Sequence, residues 1–119
     1  MSQQASEQVH GHYIGGEWRD GDGDETFDSV DPSNQETLGE FHRGTESDVD
    51  AALAAAAEAE EEWRNLSYID RAEYLWDVYH ELRDRTDEIG EFVTKECGKE
   101  ISEGKADVVE AAHMVEWAA

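Results

Sequence analysis

Residues 45–63, TESDVDAALAAAAEAEEEW, decide how this chain is organised. Before them, apolar residues come in short bursts between glycines and turn formers. From Thr45 onward they recur every three or four positions. Val49, Ala52, Leu53, Ala56, Ala59 and Trp63 mark one stripe of a helix, and Glu58, Glu61 and Glu62 fall on the other side. Thr45 or Ser47 stands where a side-chain oxygen can cap the first turn. The stretch therefore divides strands and turns over 10–44 from helices over 45–119.

Upstream, His12-Tyr13-Ile14 and Glu17-Trp18 flank Gly15-Gly16 and predict a hairpin, because glycine supplies the positive φ of a tight turn. Asp20-Gly21-Asp22-Gly23-Asp24 predicts a turn, and Thr26–Val30 predicts a strand. Asp31-Pro32-Ser33-Asn34 is a second turn, with proline presetting φ and short polar side chains bonding the local backbone. Thr37–Phe41 predicts another strand, and the polar residues 1–9 are expected to be flexible.

Downstream, Ser67 caps a second helix that is expected to bury Ile69, Ala72, Leu75, Trp76, Tyr79 and Leu82. A third starts at Thr86, shows Ile89, Phe92 and Val93 on one face, and stops at Gly98. Ser102 is expected to open a fourth carrying Val108, Val109, Ala112 and Val115. Such short strands cannot cover the apolar faces of four helices. The last helix runs out at Glu116-Trp117-Ala118-Ala119 without a cap, a closing cation or a proline. These features lead us to expect the front piece of a larger protein.

The 119 residues suit one domain, and 31 acids against 9 Lys and Arg give a net charge of −22. That balance opposes nucleic-acid and anionic-membrane surfaces, which need clustered cations. The acids are interleaved with Trp18, Trp63, Trp76 and Trp117, unlike a disordered tail. Mimicry of nucleic acid for a basic partner is one reading of the charge. Adaptation to concentrated salt, which screens like-charge repulsion, is the reading the composition favours. The single cysteine, Cys97, excludes an internal disulfide and suits a reducing cytosol. The N-terminus has neither a basic nor an apolar signal region, so a cytoplasmic location is expected.

No convincing catalytic constellation is present. Cys97 falls at a helix C-terminus beside Glu96, where the dipole disfavours a thiolate. His10, His12, His42, His80 and His113 show no metal-ligand spacing, although His10 and His12 could share one strand face. Asp20, Asp22 and Asp24 fail the calcium-loop rule, lacking flanking helices and a closing Glu. Those aspartates would also repel a phosphate from Gly21 and Gly23.

Taken in order, these segments resemble the N-terminus of the aldehyde dehydrogenase superfamily. Tyr13-Ile14-Gly15-Gly16-Glu17-Trp18 is similar to its opening hairpin. Asp31-Pro32-Ser33-Asn34-Gln35-Glu36 is similar to its proline turn, with Gln35 where glycine is usual. Asp48-Val49-Asp50 followed by the Ala-rich face and Trp63 resembles its first helix. Ser67 through Leu82 resembles its second, with Asp70-Arg71-Ala72 and Leu75. Glu96-Cys97-Gly98-Lys99 resembles a later helix end, with Glu100 in place of proline.

The resemblance implies an α/β fold, here short β-strands and a hairpin followed by four α-helices, as an incomplete N-terminal portion (1–119) of an NAD(P)-binding domain. It implies a parent enzyme that oxidises an aldehyde to a carboxylic acid with NAD or NADP. In that family a cysteine attacks the carbonyl, hydride passes to the nicotinamide, and a glutamate-activated water releases the acid. Those residues and the cofactor-binding segments lie beyond the matching stretch, and Cys97 does not align with the nucleophile. The piece alone is expected to hold no cofactor and to be inactive. Its partner would be the remainder of its own chain, in a homo-oligomeric parent. Some members hold a structural monovalent cation, for which Val30 and Asp107 are the nearest candidates. The competing reading is a stand-alone acidic helical binding module without catalysis.

Overall fold

The structure, a computed structural model, describes residues 9–119. The expectation for residues 1–8 lies outside them. Val9 opens the first strand, β1 (Val9–His10), which is followed by β2 (His12–Ile14), β3 (Glu17–Arg19), β4 (Thr26–Val30) and β5 (Thr37–His42). Four helices follow: α1 (Glu46–Asn65), α2 (Tyr68–Asp84), α3 (Thr86–Cys97) and α4 (Ile101–Ala118). No described helix is long and apolar enough to cross a membrane.

The chain forms two units. The first holds the residues up to Val30 together with Gln35–Glu61; the second holds Asp31–Asn34 and Glu62–Ala119. In the first, β2 and β3 make the expected hairpin, pairing Tyr13 with Trp18. Gly15 and Gly16 take φ of 63° and 85°, the two positive values of a type I′ connection. A second sheet has the order β1-β5-β4, with β1 parallel and β4 antiparallel to β5. Strand β1 was not legible: two residues carry no period, and their partners lie some thirty positions downstream.

Thr45, not Ser47, caps α1. Its hydroxyl accepts the Asp48 amide at 3.3 Å, while the Asp48 carboxylate accepts the Thr45 amide at 2.8 Å. The stripe expected to bury Val49 and Leu53 leaves them 55% and 64% exposed, because nothing among the described residues lies over it.

In the second unit Ser67 and Asp70 close a capping box on α2. The Thr86 hydroxyl donates to the carbonyls of Leu82 and Arg83, so it finishes α2 as α3 begins. Gly98, at φ 69°, ends α3 as expected, its amide donating to the Thr94 carbonyl at 2.9 Å. Helix α4 opens at Ile101 with Glu100 at the cap position, so Ser102 lies inside it and is not the cap. A Cβ on Gly104 would stand 2.6 Å from both the Gly90 carbonyl oxygen and Thr94 Oγ1, so α3 and α4 meet backbone to backbone.

The fully covered apolar side chains of the described residues are Val108 and Ala112, both on α4. Ala72, Leu75, Tyr79, Leu82, Ile89, Val93, Val109 and Val115 are half-buried. Ile69, Trp76 and Phe92 are exposed, against the expectation that one face of each helix is buried. The amphipathic period shows which residues could be buried; a facing element decides whether they are.

Candidate functional site

The densest polar arrangement of the first unit surrounds Asp48, in the first turn of α1 and 4% exposed. One carboxylate oxygen accepts the Thr45 amide and hydroxyl, each at 2.8 Å. The other accepts the Asp22 amide at 3.1 Å, which ties the glycine-aspartate loop to the helix. The Ser47 hydroxyl donates back to the Asp22 carboxylate. His12 Nε2 stands 3.9 Å from the same Asp48 carboxylate, and His42 Nε2 stands 3.8 Å from Asp20. The Thr45 amide and then its hydroxyl hold the Asp48 carboxyl down at about 2, against the opposing effect of burial; Asp22 and His12 assist.

This arrangement corrects one reading of the sequence and adds a tertiary role for a predicted turn. His10 and His12 do not share a strand: His10 belongs to β1 and stacks on Phe41 at 4.9 Å, whereas His12 belongs to β2. Asp22 is engaged in hydrogen bonds that join loop to helix. Among the described residues no three His, Cys, Asp or Glu side chains are placed to share a metal ion. Chemically the cluster is an anchor: three donors from two segments occupy its carboxylate.

In the second unit the Asp31 carboxylate accepts the Ser33 amide at 2.8 Å and hydroxyl at 2.6 Å, closing the proline turn. The Ser33 hydroxyl and amide hold its carboxyl below the usual range, with Lys95 adding a smaller electrostatic pull. Pro32 lies against Gly98, where a Cβ would stand 2.9 Å from the proline ring. Cys97 is an exposed thiol. Asp107, a candidate for the cation, accepts the Lys99 ammonium at 2.5 Å, so a cation already neutralises it. Val30, the other candidate, ends β4 in the first unit and pairs with Thr37.

Residues 18–119 match the sequence family described as the Aldehyde dehydrogenase family. The chain belongs to that family. Among solved structures, it superposes on 3,6-anhydro-L-galactose dehydrogenase in complex with NAP with a TM-score of 0.90 and 31% identity, covering 93% of this chain and 23% of that one. Succinate-semialdehyde dehydrogenase from Burkholderia pseudomallei gives 0.88 and 33%, over 91% of this chain and 22% of that one. An NAD-dependent benzaldehyde dehydrogenase from Corynebacterium glutamicum gives 0.85 and 27%, over 93% and 24%. The chain therefore spans about a quarter of the length of these aldehyde dehydrogenases.

As an aldehyde dehydrogenase sequence, the chain shows the α/β arrangement that its motifs implied: short strands, then four helices. The Asp48 cluster was missed as a cluster. Its local signal was Thr45-x-x-Asp48, a capping box. The approach of His12 and Asp22 to Asp48, over 36 and 26 positions, has no local signal.

Proposed function

We propose that this chain is the N-terminal portion of the nucleotide-binding domain of an NAD(P)-dependent aldehyde dehydrogenase that oxidises an aldehyde to a carboxylic acid. The observation that carries the reading is a family match over 18–119 in a chain that corresponds to 23% of the neighbour of highest similarity quoted above. The dehydrogenases it superposes on are described with NAP or as NAD-dependent, which supports NAD or NADP as the parent's hydride acceptor. The exposed Val49, Leu53, Ile69 and Phe92 support a role for these helices as a surface that the remainder of the chain covers. The portion itself holds no nucleophile or cofactor and is inactive alone. The parent acts in the cytoplasm as a homo-oligomer.

The test is to assay purified 1–119 with NAD and NADP against benzaldehyde and succinate semialdehyde, and the translated reading frame beyond Ala119 in parallel. Activity in the extended protein only is the expected result. Aldehyde-dependent NADH formation by 1–119 overturns the assignment of inactivity. An extended frame without dehydrogenase activity overturns the parent's function.

A monovalent cation reaches Asp107 only in competition with Lys99. Sodium or potassium NMR line broadening should therefore increase in Lys99→Met; equal broadening in both proteins would remove Asp107 as a ligand. The acidic composition, with net charge −22, further supports adaptation to concentrated salt.

A further inference from the structure

The charge and the core are distributed unequally between the two units. Residues 9–30 and 35–61 of the first carry fourteen carboxylates against Arg19 and Arg43, a net charge of −12 by subtraction. The second carries sixteen against seven cations, or −9, over a longer stretch of chain. The two arginines of the first unit can neutralise two of its acids at most. The second sets Arg85 on Glu88, Lys105 on Asp87 and Lys99 on Asp107. Val108 and Ala112, the buried apolar side chains among the described residues, also belong to the second.

One specific like-charge pair accompanies the imbalance in the first unit. The β4–β5 register places Asp28 directly opposite Glu40, an arrangement that destabilises an antiparallel pair. Thr26 donates to Glu40 at 2.5 Å but brings no charge to the pair. The start of α1 adds no such pair: the Asp48 carboxylate there accepts the Asp22 and Thr45 amides, and Asp20 lies beside His42. Salt at about 1 M shortens the screening length to roughly 3 Å, below the separation of facing side chains. Such repulsion is thereby reduced most where cationic partners are fewest.

We infer that folding of the first unit is gated by salt, and that it orders at a higher salt concentration than the helical second unit. The inference rests on the salt-adaptation reading but is separable from it. At intermediate salt the α2–α4 unit is formed while the strands and the Asp48 anchor are not.

Hydrogen exchange read by mass spectrometry on the 119-residue chain, across a potassium chloride series from dilute buffer to multimolar, tests this. Exchange in 9–30 and 35–61 should slow about tenfold or more at a concentration where 62–118 is already protected. Asp28→Asn, which removes the like charge opposite Glu40, should lower the threshold of the first unit and leave that of the second in place. A common threshold for both units overturns the inference while leaving salt adaptation standing. Full protection of both in dilute buffer, or no gain in the first unit at any salt, overturns both. Equal slowing by sucrose at matched water activity overturns the screening mechanism.

Discussion

Thr45 and Asp48 exchange hydrogen bonds across the first turn of α1: the Thr45 hydroxyl accepts the Asp48 amide, and the Asp48 carboxylate accepts the Thr45 amide and hydroxyl. The same carboxylate reaches the Asp22 amide, so one side chain both starts a helix and holds a loop 26 positions away. Thr45→Ala removes the cap and should lower the stability of the folded chain by about 1 kcal/mol, read by urea unfolding in concentrated salt. Thr45→Ser should restore most of it, since serine keeps the hydroxyl.

The Asp48 carboxyl is held at about 2, below its ordinary 3.8, and Asp31 is lowered as well. A depressed folded-state value means that unfolding takes up a proton, so these groups stabilise above pH ~4 and lose that contribution as pH falls toward ~2. The melting temperature should therefore be flat with respect to these two groups above that window and decline within it. Asp48→Asn should flatten part of the decline; an unchanged pH profile would show that Asp48 is not the anchor.

Gly104 faces the Gly90 carbonyl and Thr94 across the α3–α4 crossing. An added methyl there has no room, because two of the three nearest atoms are backbone. Gly104→Ala should cost about 1–3 kcal/mol and separate the two helices, visible as a loss of cooperativity in the thermal transition. A stability equal to that of the parent chain would mean that the helices are not in backbone contact.

Gln35 sits at φ 65° beyond the proline turn, a left-handed conformation that costs a residue with a Cβ about 1–2 kcal/mol. Gln35→Gly relieves that strain and returns part of the gain through the greater freedom of the unfolded chain. A net gain of about 0.5 kcal/mol is expected, measured as a raised urea midpoint. A lowered midpoint would mean that the contacts of the glutamine side chain outweigh the strain.

Much of the fold was readable because its signals are local. Gly15-Gly16 demanded positive φ, Ser67-x-x-Asp70 is a capping box, and Gly98 terminates α3 by taking a left-handed conformation no β-branched residue tolerates. The failures have two causes. Val49, Leu53, Ile69 and Phe92 lie on amphipathic faces yet remain exposed, since a helix period reports which side is apolar and not whether anything covers it. His10 and His12 could share a face only if period two ran through a continuous strand; Gly11, against the Arg19 carbonyl, separates two strands that join different sheets.

The sequence by itself determined the helices and their boundaries to within about two residues, the hairpin, the extreme acidity and, through ordered motifs, the family. These follow from bonding between residues a few positions apart, or from composition alone. Only the tertiary structure decided that β1 pairs in parallel with β5, that Asp22 and His12 converge on Asp48, that Lys99 neutralises Asp107, and that Val108 and Ala112 are the buried apolar side chains among the described residues. Each of these depends on which segments meet in space, from eight positions apart for Lys99 and Asp107 to tens for β1 and β5, and such meetings leave no periodic trace in the sequence.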